Sequence, residues 1–138
     1  MAKHVARDVY ILVNGTNISS YANSCEITDE ADDVELSAFG PAGYKEYGVG
    51  LKDANVAATL YSDFDTLHGV LQPLYSTSGT FSLEVRATSA ARGTANPAAV
   101  MTARLFAYSP IKGGLGDAAT FDCTFRNAST AGLTWATS

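Results

Sequence analysis

The chain is poor in charge: 17% of its 138 residues are Asp, Glu, Lys or Arg, against 46% apolar ones. Basic residues are the scarcer sign, nine against fourteen acidic ones, for a net charge of −5. The nine are scattered, which excludes tight binding to a nucleic acid backbone, since that takes clustered Lys and Arg. No run nears the roughly 18 consecutive apolar residues of a membrane span, so no membrane association is expected. The N-terminal "MAKHVARDVY" has early charges but neither an apolar stretch nor a cleavage-site pattern. That excludes a secretory signal and implies synthesis in the cytoplasm. Histidine is limited to His4 and His68, and cysteine to Cys25 and Cys123. No HExxH or CxxC occurs, so neither a metal nor another cofactor is expected. In a reducing compartment the two thiols read as buried small hydrophobes, with a single disulfide as the alternative.

The stretches that invite a chemical reading do not sustain one. In "DEADDVELSAFG", Asp29 and Asp33 could fill the first and fifth positions of a calcium loop. Ala31 then stands at the third position, Val34 where the turn needs Gly, and Gly40 where a bidentate Glu is required. "GGLG" at Gly113 to Gly116 lacks the Lys and Ser or Thr of a phosphate loop and leads into a strand, so it reads as a turn. Three Asn-x-Ser/Thr triplets, at Asn14, Asn17 and Asn127, are coincidences without a secretory route. His68 follows Leu67 on a helical pattern and reads as a satisfied side chain, and neither histidine has the setting of a hydrolase triad. An enzyme is the least supported class.

What is present is strand patterning. One domain spanning residues 1–138 is expected from the length, and its uncharged surface suggests cover by other subunits. "DVYILVNGTNIS" is a strand apolar on both faces that ends in an Asn14-Gly15 hairpin turn. "NSCEITDEADDVELSAF" reads as two short strands around an acidic turn, with Cys25 and Ile27 on one arm and Val34 and Leu36 on the other. After the glycine-rich "FGPAGYKEYGVG", the run "LKDANVAATLYSDF" reads as a longer strand. Phe64, Leu67, Leu71 and Leu74 then recur at helical spacing, with Ser62 and Asp65 placed as a capping box and Pro73 near the far end. This helix is expected to lie across a sheet and plug the open side of the core. "TFSLEVRATS" points Phe81, Leu83 and Val85 inward and Ser82, Glu84 and Arg86 outward. "AAVMTARLFAYSPI" alternates less cleanly, as a strand covered on both faces does. Phe121, Cys123 and Phe125 point inward from the next strand, and "GLTWATS" supplies a short last one carrying Trp135. Seven or eight strands with one helix give a mainly β fold, a β-sandwich or partly closed barrel.

Two features are left over. Six of the fourteen carboxylates, Glu26, Asp29, Glu30, Asp32, Asp33 and Glu35, fall within ten positions. As a plain structural feature this is a solvated hairpin tip; as a functional one it is a negative surface that repels phosphates from a channel. The other is a group of aromatics, Phe39, Tyr44, Tyr47 and Tyr61, in glycine-rich loops and a strand.

These residues carry a resemblance. "DDVELSAFGPAGYKEYGVGLKDANVAATLYSDF", with "FSLEVRATSAARGTANPAAVMTARLFAYSPIKGGLGDAATFDCTF" after it, resembles the major tail (tail tube) proteins of long-tailed bacteriophages. The likeness runs from Val9 to Trp135 and centres on the run from Phe39 to Asp53, on Thr94 to Pro97 and on Tyr108 to Pro110. It implies a tail-tube-like domain whose copies join into hexameric rings, stacked as a hollow conduit for DNA that is not bound specifically. The partners implied are further copies and other tail or virion proteins. The place implied is the virion tail, assembled in the host cytoplasm. On this basis Phe39, Tyr44, Tyr47, Leu51 and Tyr61 are expected at a subunit interface, and the six carboxylates at an acidic lumen or rim. The alternative is a capsid decoration protein, and from another class a small barrel whose aromatics line an apolar ligand pocket.

Overall fold

A computed structural model describes residues 8–39 and 43–138. His4 and the Gly40–Ala42 part of the glycine-rich stretch lie outside the described residues. The first hairpin forms as its sequence requires. Strand β1 (Tyr10–Val13) turns through Asn14 (φ 50°) and Gly15 (φ 82°) into the two-residue β2 (Thr16–Asn17). Two successive positive φ values are the mark of a type I′ turn, whose twist matches that of the strands it joins.

The further elements are a short 3₁₀ turn (Ser19–Tyr21), β3 (Ala22–Glu35), β4 (Tyr47–Tyr61), helix α1 (Leu67–Thr77), β5 (Phe81–Arg86), β6 (Ala98–Tyr108), β7 (Thr120–Asn127) and β8 (Thr134–Ala136). The strands make one antiparallel sheet in the order β2-β1-β5-β6-β7-β4-β3, with β8 paired to the start of β6. The mainly β expectation, with eight strands and one helix, stands. The sheet curls without closing. Val9 beside β1 and Cys25 and Ile27 of β3 come from opposite ends of the strand order, yet they line one crevice of 270 Å³ with Val85, Pro97 and Trp135.

Inward residues of β1, β4, β5, β6 and β7 fill the core, led by Ile11, Leu60, Leu83, Phe121 and Phe125. Phe81 and Phe125 meet edge to face at 5.8 Å, a favoured aromatic geometry. Helix α1 presses Leu67 and Leu71 into this core, with Leu74 half-buried. Each fully buried leucine contributes about 2 kcal/mol. The capping box does not form. Ser62 Oγ donates instead to the Pro110 carbonyl at 2.6 Å, tying the helix approach to the β6–β7 loop. Asp63 Oδ1 accepts from the Asp65 amide, a bond that holds the Asp63 carboxyl below its usual range.

Two further expectations are corrected. The acidic run is not a turn: Ala22–Glu35 is one continuous strand, and Glu26 to Glu35 pair with Ala57 to Tyr47 of β4. Nothing between Thr28 and Asp33 supplies the Gly, Pro or Asn that a reversal uses. The chain reverses later, between Ser37 and Glu46, whose backbone N–H donates to Ser37 Oγ. Glu84 does face away from the core, but it is only 5% exposed. The 87–97 loop folds over it, and its carboxylate accepts from Arg86 Nε at 2.6 Å and from the Arg92 guanidinium.

The cysteines stay reduced for a geometric reason. Cys25 and Cys123 both pair with Ala58, one from each side. Two strand spacings separate them by about 9.5 Å, beyond the roughly 7 Å that a disulfide spans. Burial pushes the thiols up, to about 11 and about 12.

Candidate assembly surface

The expected interface residues follow from where β4 loses its second neighbour. Pairing between β4 and β7 stops at Asn55 opposite Arg126. Beyond it β4 has only β3, so Asp29–Glu35 and Tyr47–Ala54 form a two-stranded arm about 23 Å long at 3.3 Å per residue. Such a ribbon is marginally stable by itself. Its side chains cover little of the core: Val34, Leu36, Tyr47, Val49 and Leu51 are all exposed, Val49 at 72% and Leu51 at 84%.

Glycines set the arm's local geometry. A Cβ at Gly48 would stand 2.7 Å from Leu36 Cδ1, and one at Gly50 would stand 3.2 Å from Asp32 Cβ and Val34 Cγ2. Val34 and Leu36 therefore lie over bare backbone. Between Ala31 opposite Lys52 and Asp33 opposite Val49 the register slips, with one extra residue on β4. This is a β-bulge at Gly50 and Leu51, a device that bends and twists a ribbon.

The structure divides both groups of candidates. Tyr47 is in strand β4 rather than in a loop, which corrects the glycine-rich loop expectation for it, and Leu51 is in the same strand, within the run expected to be one. Phe39 and Tyr44, in the connection beyond the strands, are fully exposed. Tyr61 is at the opposite end of β4, fourteen residues from Tyr47 and paired with Thr120. That places it about 46 Å away along the strand. The six carboxylates are all exposed but do not share one face. Ile27 points to the core with Val56, so by strand alternation Asp29, Asp33 and Glu35 lie on that side. Glu26, Glu30 and Asp32 lie on the outer side, where Glu30 is directly opposite Asp53.

An open cleft of about 720 Å³ runs under the base of the arm, between Asp29, Leu51–Ala54 and the 127–133 segment. Asp29, Lys52 and Asp53 are its charged lining, all on the arm side. His68 Nδ1 is 2.6 Å from the Tyr108 hydroxyl, and the Phe64 ring also packs against the imidazole. This contact pins α1 to β6, and desolvation raises the Tyr108 phenol above its usual pKa. Among the described residues no three His, Cys, Asp or Glu are placed to hold a metal ion, and no helix is long and apolar enough to cross a membrane.

Residues that the sequence analysis did not single out also belong to the exposed surface. Arg104 on β6 is directly opposite Arg126 on β7, both exposed. Their alternation with buried Ala103, Leu105 and Phe125 was the signal that could have found them. Phe106, Ile111 and Leu115 add exposed apolar area.

No family model matches the chain, and no curated protein matches it in sequence. Solved structures do match. One chain belongs to a structure described as "Virion of native gene transfer agent (GTA) particle", with a TM-score of 0.78 and 11% identity over 96% of this chain and 98% of that one. A second belongs to "Tail of empty GTA particle computed with helical refinement, C6 symmetry", with the same TM-score, identity and coverage. At 11% identity the likeness establishes the fold: end to end, this chain has the fold of chains in those two particles.

Proposed function

We propose that the chain is a structural protein of a phage-like virion tail, whose copies close into six-membered rings and stack as the tube that conducts DNA. The observation that carries this is the near-complete structural match, 96% of this chain on 98% of the other, to a chain of a tail with C6 symmetry. The uncovered arm supports it. A marginal ribbon bearing Val34, Leu36, Tyr47, Val49 and Leu51 in water gains its stability by packing on something else. In this proposal the occupant is another copy, the further partners are other tail proteins, the site of action is the virion, and no catalysis takes place. Capsid decoration is the weaker reading, because the particle description that matches is of a tail.

Phe39, Tyr44, Tyr47 and Leu51 act as the interface group at the arm, and Tyr61 serves a second contact at the far end of β4. The exposed carboxylates Glu26, Asp29, Glu30, Asp32, Asp33 and Glu35 supply the acidic lumen or rim surface that keeps DNA phosphates from adhering to a bore. Replacing Tyr44 and Tyr47 by Ser leaves the core untouched, since both are exposed. The double variant is expected to keep the native circular dichroism and melting curve but remain monomeric in sedimentation velocity where the wild type assembles. Unchanged assembly would remove the arm aromatics from the interface.

A further inference from the structure

We propose that Arg104, Arg126, Phe106 and Tyr75 form the receptor for the distal β3–β4 arm of a second copy, with the two guanidinium groups holding a carboxylate of that arm. This rests on the self-assembly reading above and adds to it the surface that the arm meets.

Arg104 and Arg126 are register partners on neighbouring antiparallel strands. Their Cβ atoms are therefore about 5 Å apart on one face, where like charges oppose strand pairing. Neither makes an ion pair among the described residues; the pairs present are Arg86–Glu84, Arg92–Glu84 and Lys112–Asp122. The rest of their row, Asn55 and Thr28, is uncharged. In the row toward the arm Asp53 is opposite Glu30, a second like-charge pair, and two rows away on the other side Asp122 is engaged by Thr59 and Lys112. Two forked donors at this spacing suit a single carboxylate held by both.

The surroundings of the pair favour a protein ligand. Arg104 and Phe106 border a cleft of about 380 Å³ with Tyr75, Ser76 and Ser78 of the end of α1, and both aromatics are exposed. Arginine beside aromatic side chains is the composition of interface hot spots. The distal arm has the complementary set: Glu35 opposite Tyr47, and Glu46 between Tyr44 and Tyr47 in sequence, bonded through its backbone to Leu36 and Ser37. A phosphate ligand fits less well, because Glu26, Glu30 and Asp53 share the outer face and the chain is net negative. The arm cannot reach its own receptor. Tyr47 is eight residues out from Asn55, the row of Arg126, or about 26 Å along a ribbon that leads away from it.

The test compares three charge variants of the full chain by sedimentation velocity: Arg104→Glu/Arg126→Glu, Glu35→Arg/Glu46→Arg, and the two combined. Circular dichroism establishes that each is folded. Each double variant is expected to raise the concentration needed for assembly at least about thirtyfold, and the combined variant to recover most of the loss. Wild-type assembly by folded Arg104→Glu/Arg126→Glu would overturn the receptor, as would a combined variant no better than either parent. If that arginine variant assembles normally but its tubes lose retention of short double-stranded DNA, the pair belongs to nucleic acid contact and the proposal is wrong. A wild-type chain that never self-associates overturns the assembly reading itself, a result separable from failure of the arginine variant alone.

Discussion

Glu84 is the residue at which a local rule and a tertiary contact part company. Alternation along "FSLEVR" assigned its direction correctly, away from Phe81, Leu83 and Val85. Its burial was not legible, because the cover comes from a loop that has no pattern of its own. Asn96 holds that loop by donating to the Ala90 carbonyl at 2.8 Å, and Arg92 reaches back from it to the Glu84 carboxylate. Arg86 closes the other side and stacks over the Tyr10 ring at 4.3 Å. Hydrogen bonds from Arg92 and then Arg86 hold the Glu84 carboxyl below its ordinary 4.5. A depressed pKa means stability that is present above the unfolded value and lost as pH falls through the folded one. Glu84→Gln is accordingly expected to cost about 2 kcal/mol in urea unfolding at pH 7. The gap between variant and wild type should close below pH 4.5, as the wild-type carboxyl takes up its proton. A gap that stays constant with pH would assign the cost to packing.

Among the elements, the β3–β4 arm departs furthest from what the sequence suggests. Six carboxylates in ten positions read as a solvated tip, and glycines read as a loop. Both readings treat composition locally, whereas these strands are defined by each other across the chain. Gly48 and Gly50 are strand residues because Leu36 and Val34 lie over them, a relation invisible without the register. The helix, by contrast, was legible. The spacing of Leu67, Leu71 and Leu74 reflects the face that meets the core, although its expected cap was taken by Pro110. For the arm the consequence is specific. A methyl at Gly50 meets the Asp32 carbonyl at 3.3 Å as well as two side-chain carbons, so backbone has to shift. Gly50→Ala is expected to weaken the arm by about 1 kcal/mol or more, a fivefold or larger loss of amide protection over residues 30–34 and 48–52. Protection in β5, β6 and β7 should hold. A uniform loss across the sheet would mean that the arm is part of the core's cooperative unit.

The whole molecule has a well-packed half and a projecting, uncovered one. Core residues were named correctly from alternation on β5 and β7, since hydrophobic burial imposes the period directly. The sheet order was not legible, because patterning fixes faces and leaves neighbours undetermined. Of the candidate interface, Phe39, Tyr44, Tyr47 and Leu51 do fall on or beyond one projecting ribbon, while Tyr61 lies at the other end of β4 and the acids divide between two faces. A surface designed to be covered carries no signature within one chain beyond exposed apolar groups and unmatched charge, and both are present here. We propose that this chain assembles into a tube through that surface. Negative-stain electron microscopy of the purified protein over a concentration series tests it most directly. Rings with sixfold averages that stack into hollow tubes as concentration rises are the predicted result; a monomer that persists at every concentration would contradict it.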